Sequence, residues 1–245
     1  MPSHNRRLYL DQDLSAERIV LSEREARYLG SVLRLKPGDR VRTFNGRGQE
    51  RDAAIRLLAR RQAELTMLDA FPPLPESKLR LTLIQALPKA EAMDLVVQKA
   101  TELGVQAIAP VLTDFSVARP DAERAARRIE HWMRIAQSAC EQCGRHRPTE
   151  IRPIAALEAC LEGLPADAVK RVLDPSAVET LPPSSPASTE ICLLIGPEGG
   201  FSPGDLDLIA ANGFRPSRLG PRILRTETAS IVACGVLQSL WGDLR

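Results

Sequence analysis

Residues 190–202 constrain the fold more than any other stretch of this chain. A run of apolar residues, Ile191-Cys192-Leu193-Leu194-Ile195, passes directly into Gly196-Pro197-Glu198-Gly199-Gly200-Phe201-Ser202. A strand with one wet face alternates apolar and polar residues. An unbroken apolar run closed by glycine fits a strand covered on both faces, the usual condition of a parallel sheet. Parallel strands need long crossovers, most often helical, and the flanking sequence supplies them. Strand patterns at 79–87, 107–113, 170–174 and 215–220, with a short extended piece at 150–154, are interleaved with helical patterns at 88–104, 120–142, 156–164, 203–212 and 226–241. The helix at 88–104 opens on proline and closes on glycine. The stretch 182–188 reads as a loop. Alternation of this kind predicts an α/β domain with a parallel sheet.

The first part of the chain reads differently. Residues 6–10, 18–22, 41–45 and 63–70 carry alternating or β-branched positions. Asn45-Gly46-Arg47-Gly48 is a hairpin signal. Ser22 and Glu25 form a capping box ahead of a helix expected to present Ala26, Leu29, Val32 and Leu33 on one face. Short strands with glycine turns predict a small β-barrel. Residues 71–78, with three prolines in the first five positions, can continue neither strand nor helix and read as a linker. The expected division is 1–70, a linker at 71–78, and 79–245.

Composition excludes several classes. No apolar run approaches the roughly 18 residues of a membrane span, and the first residues lack the apolar core of a signal peptide. Five scattered cysteines (140, 143, 160, 192 and 234) point to reduced thiols and a cytoplasmic location. Cys140, Cys143 and His146 do not make a metal site, because a fourth ligand is lacking. A redox pair would sit at a helix amino terminus, and this one falls at a carboxyl end. No metal is expected. Residues 1–69 hold 14 Arg and Lys against 10 Asp and Glu, and 13 of the cations are arginine. That is either a nucleic-acid grip or an ordinary solvated face.

Two segments carry the chemistry. The loop 196–202 follows a buried strand, where α/β folds bind ligands, yet its spacing is neither the dinucleotide fingerprint nor a phosphate-binding loop. A second glycine-containing junction, Leu219-Gly220-Pro221-Arg222-Ile223-Leu224-Arg225-Thr226-Glu227-Thr228-Ala229, lies between a short strand and the last helix, which Thr226 is placed to cap. Two such loops can form one pocket. The alternatives are a plain turn for the first and, for the second, a helix start with an Arg225–Glu227 surface ion pair.

IGPEGGFS (195–202) and LGPRILRTETA (219–229), with EQCGR (141–145) and KATELGV (99–105) upstream, closely resemble the 16S ribosomal RNA uracil-N3 methyltransferases, members of the SPOUT class. The resemblance extends to Arg6, Arg7, Arg27-Tyr28-Leu29 and Val32-Leu33-Arg34. It departs at Lys89-Ala90-Glu91-Ala92-Met93, where the family favours glycine and a charged pair, and at Asp205, where it favours glutamate. The resemblance implies a PUA-like RNA-binding first domain, a second domain with a carboxyl-terminal trefoil knot, S-adenosylmethionine as cofactor, and a homodimer acting on 16S rRNA of the small ribosomal subunit. Leu194, Ile195, Gly196, Pro197, Gly200, Leu219, Gly220, Ile223, Leu224 and Thr228 are the expected cofactor contacts.

Uracil N3 carries a proton and lies on the Watson–Crick edge, so the base must be unpaired and the anion stabilised or the proton removed. Arg145 and Arg225 are the candidate anion stabilisers, and Glu198 and Glu227 the candidate proton acceptors. Glu198 also suits a helix amino terminus without any catalytic duty. His131, inside a helix, and His4, near the chain start, offer no obvious base. Arg6, Arg7, Arg27 and Arg34 are candidate phosphate contacts. Rival readings are a knotted methyltransferase for another RNA or atom, such as a ribose hydroxyl, and a non-catalytic RNA-binding protein.

Overall fold

The computed structural model describes residues 6–88, 90–116, 119–181 and 188–244. Lys89, His4 and most of the 182–188 loop lie outside these residues. The chain divides into two compact units, Met1–Glu76 with Cys140–Arg147, and Ser77–Ala139 with Pro148–Arg245.

The first unit contains β1 (Arg7–Tyr9), β2 (Arg18–Leu21), α1 (Glu23–Arg27), β3 (Arg40–Phe44), β4 (Glu50–Leu58) and β5 (Ala63–Phe71). The strands pair in the order β1-β3-β4-β5-β2. The barrel expected here is an open, curled half-barrel, since β1 and β2 end the path. Two register shifts between β4 and β5 bend these long strands. Alternate residues, among them Ile19, Leu21, Val41, Ala53, Ile55, Leu65 and Met67, form the buried core.

The capping box at Ser22 is present, with the Ser22 amide donating to Glu25 Oε2 at 2.7 Å. The helix then departs from expectation. After Arg27 it widens into a π turn over Tyr28–Val32. The extra residue per turn rotates the apolar stripe: Leu29 stays buried, while Val32 is 64% exposed.

Cys140–Arg147 is held in this unit by polar bonds. Glu141 accepts from the Tyr9 amide at 3.0 Å and the Tyr28 hydroxyl at 2.8 Å. Burial pushes the Glu141 carboxyl above its usual range, and these two bonds oppose the shift. The Gly48 amide donates to His146 Nε2 at 2.7 Å. Burial pushes this imidazole below its ordinary value. Arg7 ion-pairs with Glu50, donates to the Arg145 carbonyl at 3.3 Å, and lies 4.4 Å from the Phe44 ring centre. Both charged side chains are less than a tenth exposed. Glu50→Ala therefore leaves a buried guanidinium without its carboxylate, and a loss of about 3 kcal/mol is expected. Urea unfolding checks this; a loss below about 1 kcal/mol contradicts it.

The second unit contains β6 (Arg80–Ala86), α2 (Ala90–Glu102), β7 (Ala107–Leu112), most of α3 (Ala122–Cys143), β8 (Glu150–Ile151), β9 (Ala155–Ala156), α4 (Leu157–Glu162), β10 (Val169–Leu173), β11 (Glu190–Ile195), α5 (Pro203–Ala211), β12 (Arg215–Ser217) and α6 (Thr226–Trp241). All pairings in its seven-stranded sheet are parallel, in the order β12-β10-β11-β6-β7-β8, with β9 also on β7. β11 explains its own sequence. Ile191, Leu193 and Ile195 enter the core beneath α2 and α6, while Cys192 and Leu194 enter the core shared with Ile209 and Phe214. Both faces are dry, so no polar residue interrupts the run.

Candidate active site

Three loops at the carboxyl ends of neighbouring strands line one cleft of about 740 Å³ in the second unit. The loop after β11 contributes Gly196, Pro197, Glu198, Gly200 and Phe201. The loop between β12 and α6 contributes Arg218–Gly220 and Arg222–Arg225, followed by Thr226. The third, Asp174–Ser176 after β10, was not singled out by sequence. Its signal was a strand ending on Asp-Pro, an ordinary turn pair. The loops sit there because the order β12-β10-β11 places their strand ends side by side.

Each loop has a local reason for its path. Gly200 and Gly220 have φ of +72° and +87°, in the left-handed region that favours glycine. At Gly196 the reason is space: a Cβ there would lie 2.9 Å from Phe201 Cε2. Ser202 caps α5 in a box with Asp205, and its hydroxyl donates to Asp114 Oδ2 at 2.6 Å, tying the glycine loop to the residues after β7. Thr226 is not the cap of α6. Arg225 holds that position with extended backbone and no side-chain cap, and the Thr226 hydroxyl instead donates to the Gly196 carbonyl at 2.8 Å. One hydrogen bond thus joins the two motif loops.

Most of the expected cofactor contacts are in the cleft: Ile195, Gly196, Pro197, Gly200, Leu219, Gly220, Ile223 and Leu224. Leu194 is fully buried in the sheet core and does not line it, nor does Thr228, which is exposed on the first turn of α6. Of the proposed catalytic groups, Glu198 and Arg225 line the cleft and are exposed. Glu227 is half-buried on the first turn of α6, outside the lining. No ion pair joins it to Arg225 among the described residues, so the surface-pair alternative fails. Arg145 belongs to the first unit, where it ion-pairs with Glu76 at 2.8 Å.

Charged lining residues are Arg218, Arg222 and Arg225 against Asp174 and Glu198. The remainder is largely apolar, with Leu206, Ile209 and Phe214 along one wall. No cysteine is among the lining residues; Cys192 and Cys234 are buried in the cores, where burial pushes their thiols up to about 11 and about 12.

Of the four candidate phosphate contacts, Arg6 lies 4.0 Å from Asp39, Arg27 pairs with Glu23 at 2.8 Å, and Arg34 is exposed with φ +54°. Arg7 is different, its guanidinium spent inside the first unit on Glu50 and the Arg145 carbonyl.

The family model described as an RNA methyltransferase domain matches residues 75–238, and that of an RNA methyltransferase PUA domain matches residues 21–68. Fold and cleft together thus define an RNA methyltransferase with an amino-terminal PUA domain. A relative from Buchnera aphidicola, ribosomal RNA small subunit methyltransferase E, is 35% identical over 97% of each chain. Two solved structures extend the likeness. One is ribosomal RNA small subunit methyltransferase E from Neisseria gonorrhoeae, bound to S-adenosyl methionine (34% identity, TM-score 0.91, 99% of this chain and 100% of that one). The other is a methyltransferase from Legionella pneumophila with bound SAM (36% identity, TM-score 0.93, the same coverage). The chain belongs to the ribosomal RNA small subunit methyltransferase E family.

Proposed function

We propose that this protein transfers the methyl group of S-adenosylmethionine to N3 of a uridine in 16S rRNA of the small ribosomal subunit. The observation that carries the reading is the Thr226–Gly196 bond, which makes one cleft of two motif loops far apart in sequence. The cleft suits the cofactor. Apolar walls match an adenine, and Gly200 and Gly220, where a Cβ would meet nothing within 4 Å, leave side-chain-free surface where backbone groups meet a ligand. Ile195, Gly196, Gly200, Leu219 and Leu224 hold it through backbone groups. Bound there, the cofactor supplies a sulfonium methyl for in-line displacement, for which positioning is a large part of catalysis. Arg225 stabilises the uracil anion, and Glu198 accepts the N3 proton. Glu227 and Arg145 are the secondary candidates for these roles.

The target base has to be splayed from its stack to expose N3. Arg6, Arg27 and Arg34 are surface candidates for the RNA backbone, joined by Arg218 and Arg222, which are exposed at the cleft and have no ion pair among the described residues. Arg222→Gln is expected to weaken rRNA binding and reduce the slope of log affinity against log salt by about 1. An unchanged slope removes Arg222 from the phosphate contacts.

Two family features belong to the same reading. A carboxyl-terminal trefoil knot is implied by the family to which the chain belongs. A homodimer is supported by α6, which has no charged residue from Thr228 to Trp241 and exposes Val232 and Leu240. No helix of the described residues is long and apolar enough to cross a membrane; cytoplasmic location follows from the proposed substrate.

The test combines purified protein, labelled S-adenosylmethionine and small subunits lacking their own methylation, with nucleosides analysed by mass spectrometry. Label in N3-methyluridine supports the reading. Label in another nucleoside overturns the uracil assignment, and no transfer to rRNA overturns the activity.

A further inference from the structure

We propose that Gln85 is a positioning residue for methyl transfer, fixing through Thr226 the spacing of the two loops that form the donor cleft. This rests on the reading of that cleft as the S-adenosylmethionine site. Gln85 does not line the cleft; it sits near the carboxyl end of β6 with no exposed surface, in a strand segment otherwise apolar from Leu83 to Leu87. A buried carboxamide is costly unless its hydrogen bonds are made, and an apolar side chain of equal size would fill the space without that demand.

The bonds of Gln85 run toward the cleft. Its Nε2 donates to the Ala86 carbonyl at 3.0 Å and to Thr226 Oγ1 at 3.1 Å. Its Oε1 accepts from Ser230 Oγ at 2.5 Å, and Ser230 Oγ also lies 2.8 Å from the Thr226 carbonyl. The orientation of the amide is determined: the Ala86 carbonyl can only accept, so nitrogen has to face it. Thr226 Oγ1 therefore accepts a hydrogen bond from Gln85 Nε2, and its own hydroxyl donates to the Gly196 carbonyl, 2.8 Å away. The result is a relay with one polarity, from β6 through the first turn of α6 to the loop after β11. Both far members, Thr226 and Gly196, line the cleft. Gln85 thus acts on the cofactor site without touching it. Because each member polarises the next, cutting the relay at either end releases the same contact.

The test measures S-adenosylmethionine affinity by calorimetry, and KM and kcat for methyl transfer, on the full chain as wild type, Gln85→Met, Thr226→Val and the double variant. Thermal midpoints are recorded without cofactor. Each single substitution is expected to weaken cofactor binding and raise its KM about tenfold, with kcat at saturating donor within about threefold. The double variant is expected to lose no more than either alone, since both cut one relay. Wild-type affinity in Gln85→Met, whatever its midpoint, overturns the inference and leaves a core-packing residue. So does a double variant whose losses multiply to about a hundredfold. Should Gln85→Met fail to fold, Thr226→Val cuts the relay one bond nearer the cleft, and wild-type affinity there overturns the inference equally. Wild-type protein that binds no S-adenosylmethionine overturns the reading of the cleft itself, and this inference with it.

Discussion

Arg225→Ala is expected to lower kcat for methyl transfer at least about a hundredfold, while the thermal midpoint and cofactor affinity stay near those of the wild type. Two features make the loss selective. Arg225 contributes its backbone to the start of α6: it holds the N-cap position without a side-chain bond, and its carbonyl accepts from the Ala229 amide at 2.8 Å. Its guanidinium is exposed at the cleft and has no ion pair among the described residues. The side chain therefore contributes little to folding and is available to charge that develops on the substrate. Removing one preorganised donor aimed at such charge costs roughly 10²–10³ in rate in enzymes generally. Steady-state kinetics with calorimetry checks the split. Turnover within threefold of wild type would remove Arg225 from the mechanism. Lost cofactor affinity at unchanged kcat would move it to donor binding.

Gly196→Val acts on the other side of the reaction. The first atom of any side chain at 196 meets Phe201 at 2.9 Å, with two further ring atoms at 3.3 Å. Phe201 is partly buried, packed against the core beneath α4 and α5 on one side and lining the cleft on the other. Either the ring turns into the cleft and takes ligand space, or the loop moves and carries with it the carbonyl that accepts from Thr226. Overpacking of this kind costs about 3 kcal/mol, and the cofactor site is where that strain is relieved. S-adenosylmethionine affinity is expected to fall roughly a hundredfold, measured by calorimetry on folded protein. Affinity within threefold of wild type contradicts the placement of Gly196 against the ligand.

The sheet was legible because its signals are local. The apolar run at 191–195 reports two covered faces, and glycines at 196, 199, 200 and 220 mark the loops that leave the strand ends. What stayed hidden depends on partners distant in sequence. Glu141 bonds to Tyr9 and Tyr28, so Cys140–Arg147 groups with the first unit although it continues a helix of the second. Arg7 looked like a free cation because Glu50, its partner, lies on another strand. Val32 fitted an α-helical stripe, and the π turn that exposes it has no separate sequence mark. Gln85 stands among the apolar residues of 83–87, but nothing there marks its role, and its partners at 226 and 230 only the fold could supply.

The central claim is that the loops after β11 and β12 form one cleft that holds the methyl donor. A crystal structure of the wild-type protein grown with S-adenosylmethionine tests it most directly. The account predicts the cofactor between Gly196–Phe201 and Leu219–Thr226, with adenine and ribose on backbone groups and the Thr226–Gly196 bond intact. Cofactor bound elsewhere on the chain, or lying in the cleft with that bond broken and the two loops apart, would contradict it.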